Sequence, residues 1–265
     1  MNLFQIFKML SRPLAFLLVV LLGIASIIGS GDDLTCEGDE CILDDDINGI
    51  WIDNISSDIA MISDYGWEVN IVGSSGDEQL AGRILARDGE VYDSFLSAYY
   101  TDGRLRTVYS LINGTVSSKE AIDIVYNSYN NPEGGGDLSL NLRYDAGLTD
   151  KASSLILVSG NWSYSDSVGY SLTLTIDEQG LLTGSDTSGC LYSGNLSVKD
   201  AAINIYQLQF TQSGTHSGCS QYMPAGQGQG MLMDTVSSND TLIIAVTGKI
   251  AALASASIVF RLTRQ

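Results

Sequence analysis

The sequence predicts an all-β protein with two related antiparallel β units, barrel-like or sandwich-like and able to pack together, after an N-terminal signal or anchor helix. Apolar and polar residues alternate with a period of two in many short runs, turn dipeptides separate those runs, and landmarks of the first half recur in the second. The 28 glycines and 3 prolines fit short strands joined by tight turns. The predicted segments are residues 1–30 (signal or anchor), 31–46 (acidic linker), 47–150 (first unit) and 151–265 (second unit).

The N-terminus has the layout of a secretory signal. Lys8 and Arg12 precede an apolar run from Leu14 to Gly29, and small residues follow it. A membrane-spanning helix needs about 20 apolar residues, and this run has 16. We therefore expect export to the periplasm, the cell envelope or the medium, with cleavage near Ala25 or Gly31. The alternative is an uncleaved run that tethers the protein to a membrane.

The mature chain is strongly acidic. Loss of residues 1–30 removes Lys8 and Arg12 and no acid, which leaves 11 basic against 31 acidic residues, a formal charge of −20. Such a field repels a phosphate backbone, so we predict no nucleic-acid partner. The linker carries eight acids and no base and should stay solvated as a spacer. These acids are Asp32, Asp33, Glu37, Asp39, Glu40, Asp44, Asp45 and Asp46.

The chain has four cysteines: Cys36 and Cys41 in the linker, and Cys190 and Cys219 in the second unit. In an exported chain they are expected to form disulfides, and three pairings are open. We favour Cys36 with Cys41 and Cys190 with Cys219, because each pair lies within one local unit. The second bridge would close a loop of about 30 residues and stabilise the fold by roughly 3 to 4 kcal/mol. A zinc site at the first pair would lack the second ligand pair that a closed site needs.

The linker enters the first unit through Asp44-Asp45-Asp46-Ile47-Asn48-Gly49, which matches the front of a calcium loop. Such a loop closes with a bidentate carboxylate at its twelfth position, where this chain has Ile55. We therefore favour an acidic linker that runs into a turn over a weak calcium site. We predict no metal and no other cofactor.

The strand pattern begins at Ile47. Clear alternating runs lie at residues 67–72, 104–109, 139–142 and 171–176. Hairpin turns are predicted at Asp88-Gly89, Asp102-Gly103, Asn113-Gly114 and Gln179-Gly180. Short helical turns are expected at residues 119–121 and 199–202, and the GQGQG stretch at residues 226–230 is expected to be a flexible turn.

An internal repeat organises these strands into the two units. Gly49-Ile50-Trp51 recurs as Gly160-Asn161-Trp162, Gly66-Trp67 as Gly169-Tyr170, and Leu80-Ala81-Gly82 as Leu182-Thr183-Gly184. The stretch GTVSSKEAIDIVY at residues 114–126 aligns without gaps with GNLSVKDAAINIY at residues 194–206. The third and fourth landmarks are 32 residues apart in the first copy and 10 in the second. We interpret the difference as an extra hairpin in the first copy.

Two resemblances follow from these motifs. The G-x-W at residues 49–51 and 160–162 resembles the start of lipocalin-type barrels, in which the Trp closes one barrel end. The run from Gly160 to Leu196, with Cys219 after Tyr206, is similar to uncharacterised bacterial envelope proteins, many of them lipid-anchored. The end of the signal resembles a lipoprotein box, but Ser30 stands where lipidation needs a cysteine. This resemblance therefore implies an envelope location without a lipid.

Catalytic motifs are missing from the sequence. His216 is the single histidine, and there is no G-x-S-x-G, S-x-x-K, H-E-x-x-H or P-loop motif. We therefore predict that the protein is not an enzyme. Catalysis by His216 or by a clustered pair of acids is the less favoured hypothesis.

Aromatic side chains are the remaining candidates for a binding site. Tyr126 and Tyr129, with the asparagines that follow them, and Tyr99-Tyr100 form polar-aromatic mixtures of the kind that binds sugars or partners. Half-buried cross-strand pairs are the alternative interpretation. The sequence thus favours a non-catalytic envelope protein that binds an unknown envelope partner. The second hypothesis is a carrier of a small apolar ligand, with Trp51 and Trp162 lining its cavity.

Overall fold

The computed structural model describes residues 45–74, 79–100, 103–129, 137–167, 169–214, 223–251 and 254–265. Over these ranges the chain is almost entirely β, and its strands form two antiparallel closed barrels of eight strands each. The predicted all-β class with two antiparallel units is therefore confirmed, and both units are barrels. The predicted signal and most of the acidic linker, with Cys36 and Cys41, lie outside the described residues.

Barrel 1 is an up-and-down meander in which each strand pairs with its sequence neighbours. Its strands are β1 (Gly49–Asp53), β2 (Ile59–Ser63), β3 (Glu68–Val72), β4 (Gln79–Arg87), β5 (Glu90–Tyr99), β6 (Leu105–Ser117), β7 (Ala121–Tyr129) and β8 (Leu138–Tyr144). The pairing of Trp51 on β1 with Tyr144 on β8 closes the sheet. A 3₁₀ turn, Asp64–Gly66, lies between β2 and β3.

Barrel 2 repeats this meander. Its strands are β9 (Gly160–Ser165), β10 (Ser171–Ile176), β11 (Leu181–Asp186), β12 (Leu191–Ser197), β13 (Tyr206–Ser213), β14 (Met223–Met233), β15 (Thr241–Ala251) and β16 (Ala254–Arg264). The pairing of Trp162 on β9 with Arg264 on β16 closes it. Two single-turn helices, α1 (Ala146–Thr149) and α2 (Leu155–Val158), connect the barrels. None of the helices in the described residues is long and apolar enough to cross a membrane.

Both barrel interiors are filled by side chains. Alternation along each strand sends every second residue inward, and the inward residues are large and apolar. Fully buried examples in barrel 1 are Trp51, Ile62, Ile71, Ile84, Leu96 and Tyr126, and in barrel 2 Trp162, Leu174, Tyr206, Leu242, Ile244 and Leu262. Each barrel is thus a packed core rather than a channel.

The G-x-W motif has the same structural role in both barrels. It starts the first strand, and the indole Nε1 donates a hydrogen bond to the carbonyl four residues earlier: Trp51 to Ile47 (3.0 Å) and Trp162 to Val158 (2.9 Å). The indole thereby ties the segment that precedes the strand across the end of the barrel. In barrel 2 the Arg264 guanidinium lies 4.2 Å from the Trp162 ring centroid.

The expected extra hairpin in the first copy is wrong, because both barrels have eight strands. Leu80-Ala81-Gly82 lies on the fourth strand of barrel 1, whereas Leu182-Thr183-Gly184 lies on the third strand of barrel 2. The G-x-W landmark occupies equivalent strands, and the later landmarks do not. The landmarks align in sequence because strands and turns at different places in the two barrels share similar local patterns of residues.

Two of the predicted turns are confirmed by left-handed glycines: Gly89 (φ 83°) joins β4 to β5 and Gly180 (φ 85°) joins β10 to β11. The turn predicted at Asn113-Gly114 is wrong, because both residues lie inside β6, at a bulge against β7. Asp102 lies outside the described residues, and Gly103 after it has φ 80°.

The predicted helical turns at residues 119–121 and 199–202 are also wrong. The first is the tight β6–β7 turn, with Lys119 at φ 55°, and the second is a non-helical turn before β13. The two helices lie instead at positions where Asp145 and Ser154 accept a backbone hydrogen bond as N-caps. A single capped turn is too short to leave a periodic signal in the sequence.

The barrels pack against each other through an apolar cluster on their outer faces, which we call the interface cluster. Its buried members are Ile50, Ile59, Met61, Val72, Ile205, Met231, Ile243 and Ala245. Asn204, in the turn before β13, supports the junction: its amide donates to the carbonyls of Leu148 (3.2 Å), in the connecting segment, and Leu232 (2.6 Å). The two barrels therefore share an apolar contact that hydrogen bonds border.

Six tyrosines among the described residues have raised pKa values, mainly because burial disfavours the charged phenolate. They are Tyr99, Tyr126, Tyr144, Tyr170, Tyr192 and Tyr206, and the pKa of Tyr170 is raised to about 12. The folded state holds these protons more tightly than the unfolded chain, whose tyrosines titrate near pH 10. This contribution to stability is present below about pH 10 and is lost as the pH rises from there towards 12.

We therefore expect the tyrosinate absorbance of this buried set to rise only above pH 10 in an alkaline titration, together with loss of the far-ultraviolet β signal. Ionisation of all tyrosines near pH 10 with the β signal intact would contradict the burial described here.

Candidate functional site

The predicted ligand-binding residues lie mostly in the cores. Trp51, Trp162 and Tyr126 are fully buried, and the Tyr126 hydroxyl lies 2.6 Å from Ser94 Oγ. Tyr126 therefore belongs to the core and not to a polar-aromatic surface, because it points inward from β7. Tyr129 ends β7, and its side chain lies outside the described residues. A role of these four residues in ligand binding stays a prediction.

The acidic entry to barrel 1 is used by the fold. Asp45 Oδ2 accepts from the Gly89 amide (2.9 Å), and Asp46 forms an ion pair with Lys119 (3.7 Å). The described residues contain no group of three or more side chains that could hold a metal ion. Asp44 and His216 lie outside the described residues.

Cys190 is buried at the start of β12, at the mouth of barrel 2, and is not a free cysteine. Asp186 holds the preceding turn: its Oδ1 accepts from the Cys190 amide (3.0 Å), and its Oδ2 accepts from the hydroxyls of Tyr192 (2.6 Å) and Tyr170 (3.1 Å). Cys219 lies outside the described residues. The Cys190–Cys219 pairing therefore stays a prediction, and Asp186 fixes the backbone on the Cys190 side.

A cleft of about 240 Å³ lies where the outer faces of the two barrels meet. Strands β3, β4 and β5 form one wall, and β14 and β15 form the other. Its principal residues are Trp67, Asn70, Phe95, Gln227, Gln229 and Thr247. We call this site the inter-barrel cleft.

Two exposed aromatic rings border the inter-barrel cleft. Trp67 is 53% exposed and Phe95 39%, and the Arg83 guanidinium lies 5.2 Å from one ring centroid and 5.1 Å from the other. Arg83 also pairs with Asp93, which offsets its charge. Stacking and this ion pair hold the rings in place while leaving much of their surface in water.

The floor of the cleft is a chain of buried amides that crosses between the barrels. Gln79 Nε2 donates to Asn70 Oδ1 (2.8 Å), and Asn70 Nδ2 donates to Gln229 Oε1 (2.8 Å). Gln229 Nε2 then donates to Ser63 Oγ (2.7 Å), which also accepts from Gln207 (2.7 Å). Such a network fixes the relative position of the two walls.

Hydroxyl and amide groups on both walls stay within reach of solvent. Ser97 and Thr247 are half-buried, and Gln227 is exposed. Burial raises the pKa of Tyr99, and hydrogen bonds with Ser97 and Ser255 only partly offset this effect. The Tyr99 phenol is therefore neutral at neutral pH and can donate or accept.

The sequence pattern missed this site for two reasons. Alternation with Val69 and Ile71 would send Trp67 inward, but the 3₁₀ turn before β3 ends at Trp67 in αR conformation and interrupts the alternation. The stretch at residues 226–230 is part of β14 and not a flexible turn. A Cβ at Gly228 would lie 2.0 Å from the Ala245 carbonyl, so the glycines permit close strand packing while the alternating glutamines face barrel 1.

A smaller pocket of about 180 Å³ lies at the mouth of barrel 1. Ile71, Leu80 and Leu140 line its inner side, and Asp53 and Arg106 lie at its rim. Sites for drug-sized molecules begin at about 300 Å³. Among the described residues this pocket could therefore hold only a very small ligand.

Comparison of the chain with models of protein families, with curated proteins and with solved structures gave no match. The site is therefore assigned from its geometry and chemistry.

The exposure of Trp67 predicts a simple optical result. The chain has three tryptophans, and Trp51 and Trp162 are fully buried, so acrylamide should quench mainly the emission of Trp67. Trp67→Phe should remove most of the quenchable emission, whereas Trp51→Phe should leave it. Equal loss of quenching in the two variants would contradict the assignment of Trp67 to the surface.

Proposed function

We propose that this chain is an exported, non-catalytic protein of the bacterial cell envelope that binds its ligand in the inter-barrel cleft. The observation that carries the proposal is the pair of exposed rings, Trp67 and Phe95, fixed beside a preformed polar cleft while both barrel cores are filled. Exposed aromatic side chains next to oriented polar groups are the usual composition of a binding site.

The proposed envelope location is supported by the signal-like N-terminus and by the cysteines. In this proposal Cys190 pairs with Cys219 and Cys36 with Cys41. The acidic linker spaces the barrels from a membrane if the run from Leu14 to Gly29 is retained.

Intact mass spectrometry of protein from the envelope and the medium of its own host tests the location. We expect a chain that begins near Ser26 or Asp32, without lipid, and that gains about 4 Da on reduction of two disulfides. A full-length chain in the membrane fraction would instead support the tethered form. A chain recovered from the cytosol with its N-terminus intact would contradict export.

A carrier of a small apolar ligand is the second candidate function. The G-x-W closure of each barrel and the apolar pocket at the mouth of barrel 1 favour it. The small volume of that pocket and the filled cores make it the weaker proposal. An apolar compound that copurifies and is lost in a Leu140→Trp variant, which fills the mouth, would support it.

Site-specific photo-cross-linking tests whether the cleft is the binding site. With p-benzoylphenylalanine in place of Phe95, the protein should form an adduct in intact cells of its host on illumination. The matched control has the same group in place of Tyr164, an exposed aromatic residue on barrel 2 that does not line the cleft. No adduct at position 95, or equal adducts at both positions, would contradict the proposed site.

A further inference from the structure

We infer that the ligand of the inter-barrel cleft is a neutral saccharide, an inference that rests on the proposed binding function. The charges around the cleft, its ring surfaces, its polar groups and the closed sheet edges of its two walls all favour this class of ligand.

The charges around the cleft favour an uncharged ligand. The one ionisable acid in its lining is Glu68, whose carboxylate lies 3.9 Å from Lys199 and accepts from Ser63 (3.3 Å). A cationic ligand at the aromatic rings would be repelled by the Arg83 guanidinium, which already lies over both rings. An anion would face Glu68 and a chain of net charge −18, and the Arg83 guanidinium beside the rings is already paired with Asp93.

The rings and the polar groups together match a sugar ring. One face of a pyranose is made of C–H groups, which pack on an aromatic ring, and its rim carries hydroxyls that both donate and accept. Trp67 and Phe95 offer the rings, and Gln227, Ser97 and Thr247 offer groups of matching character. A purely apolar ligand would strip water from these polar groups without replacing their hydrogen bonds.

The closed barrels disfavour an extended peptide. A peptide strand gains affinity by adding to an open sheet edge, and every strand of both barrels pairs on both sides with a neighbouring strand. The cleft volume of about 240 Å³ lies below the roughly 300 Å³ at which pockets for drug-sized ligands begin. It therefore fits one ring, or the end of a longer saccharide whose remainder lies in solvent.

Protection of Trp67 from acrylamide tests the inference on the complete chain. The probes are cellotetraose, maltotetraose, xylotetraose and chitotetraose, with tetragalacturonate as the anionic control. We expect at least one neutral probe to protect Trp67 saturably at concentrations up to about 10 mM, and tetragalacturonate to give no protection. Isothermal titration calorimetry with the same probe should give the same midpoint.

Variants then place the binding in the cleft. Phe95→Ala and Ser97→Ala should each weaken binding about tenfold, and Tyr164→Ala should leave it unchanged. Phe95 and Ser97 are both partly exposed to solvent, so neither substitution should change stability much. A urea midpoint equal to that of the parent chain then confirms that the variants fold.

Three results overturn the inference: no protection by any neutral tetrasaccharide, equal protection by tetragalacturonate, or binding that survives in Phe95→Ala. A cross-link at position 95 without protection by any neutral probe would reject the saccharide while retaining the proposed binding site. The absence of both signals would reject the site itself.

Discussion

Trp162→Ala should lower the free energy of unfolding by about 3 to 5 kcal/mol, the range for loss of a large buried aromatic side chain. Trp162 is fully buried, its Nε1 holds the Val158 carbonyl, and its ring lies beneath the Arg264 guanidinium. The variant would thus lose core packing, the hydrogen bond that links β9 to α2, and the cation–π contact of Arg264. Urea denaturation followed by circular dichroism measures the effect.

Trp67→Ala is the matched control for this prediction. It removes the same side chain from the surface, where 53% of it is exposed, and should change the free energy of unfolding by less than about 1 kcal/mol. A loss of similar size in both variants would show that the two indoles do not differ in burial as described.

Ile243→Asp should have a comparable or larger effect, about 4 kcal/mol or more, because it places an unpaired charge in the interface cluster. Ile243 is fully buried and pairs with Met231 in the strand register. The barrels should then lose their contact, and urea unfolding should separate into two transitions, whereas we expect a single transition for the parent chain.

Leu191→Asp is the matched control, because Leu191 lies on the outside of barrel 2 and is 56% exposed. It should leave the single transition in place. If Ile243→Asp is insoluble, Ile243→Ala should still cost about 2 to 4 kcal/mol. An unchanged midpoint for both Ile243 variants would contradict burial at the barrel contact.

The all-β class and the two units were predictable because alternation and turn glycines act locally. Ser171 to Ile176 is a strand with the predicted bounds, and Gly180, with a left-handed φ of 85°, lies in the predicted hairpin turn. The number of strands in each barrel was not predictable from the landmarks. Gly114, for example, follows Asn113 as in a hairpin turn, but its place in β6 is set by its packing against Val91 and Ile124.

The candidate site was not predictable from sequence, because its parts are brought together by the packing of two barrels. Asn70 and Gln229 are 159 residues apart, and neither belongs to a motif. The aromatic signal was present in Trp67, but alternation along residues 67–72 would place its side chain on the same inward face as Val69 and Ile71. The 3₁₀ turn that ends at Trp67 interrupts the alternation and leaves this side chain in solvent. The formation of that turn depends on local backbone geometry, which the composition of the chain does not reveal.

The closure of each barrel by its first and last strands also governs how the chain can fold as it is synthesised from its N-terminus. Every other ladder pairs two strands that are consecutive in the chain. Only the β1–β8 and β9–β16 pairings therefore require closure of a long loop. Barrel 1 can complete its ring once Tyr144 has emerged, whereas barrel 2 stays an open sheet with two bare edges until β16 follows. An open sheet of this kind can pair with another chain, so the interval before β16 arrives is the period of greatest risk of aggregation.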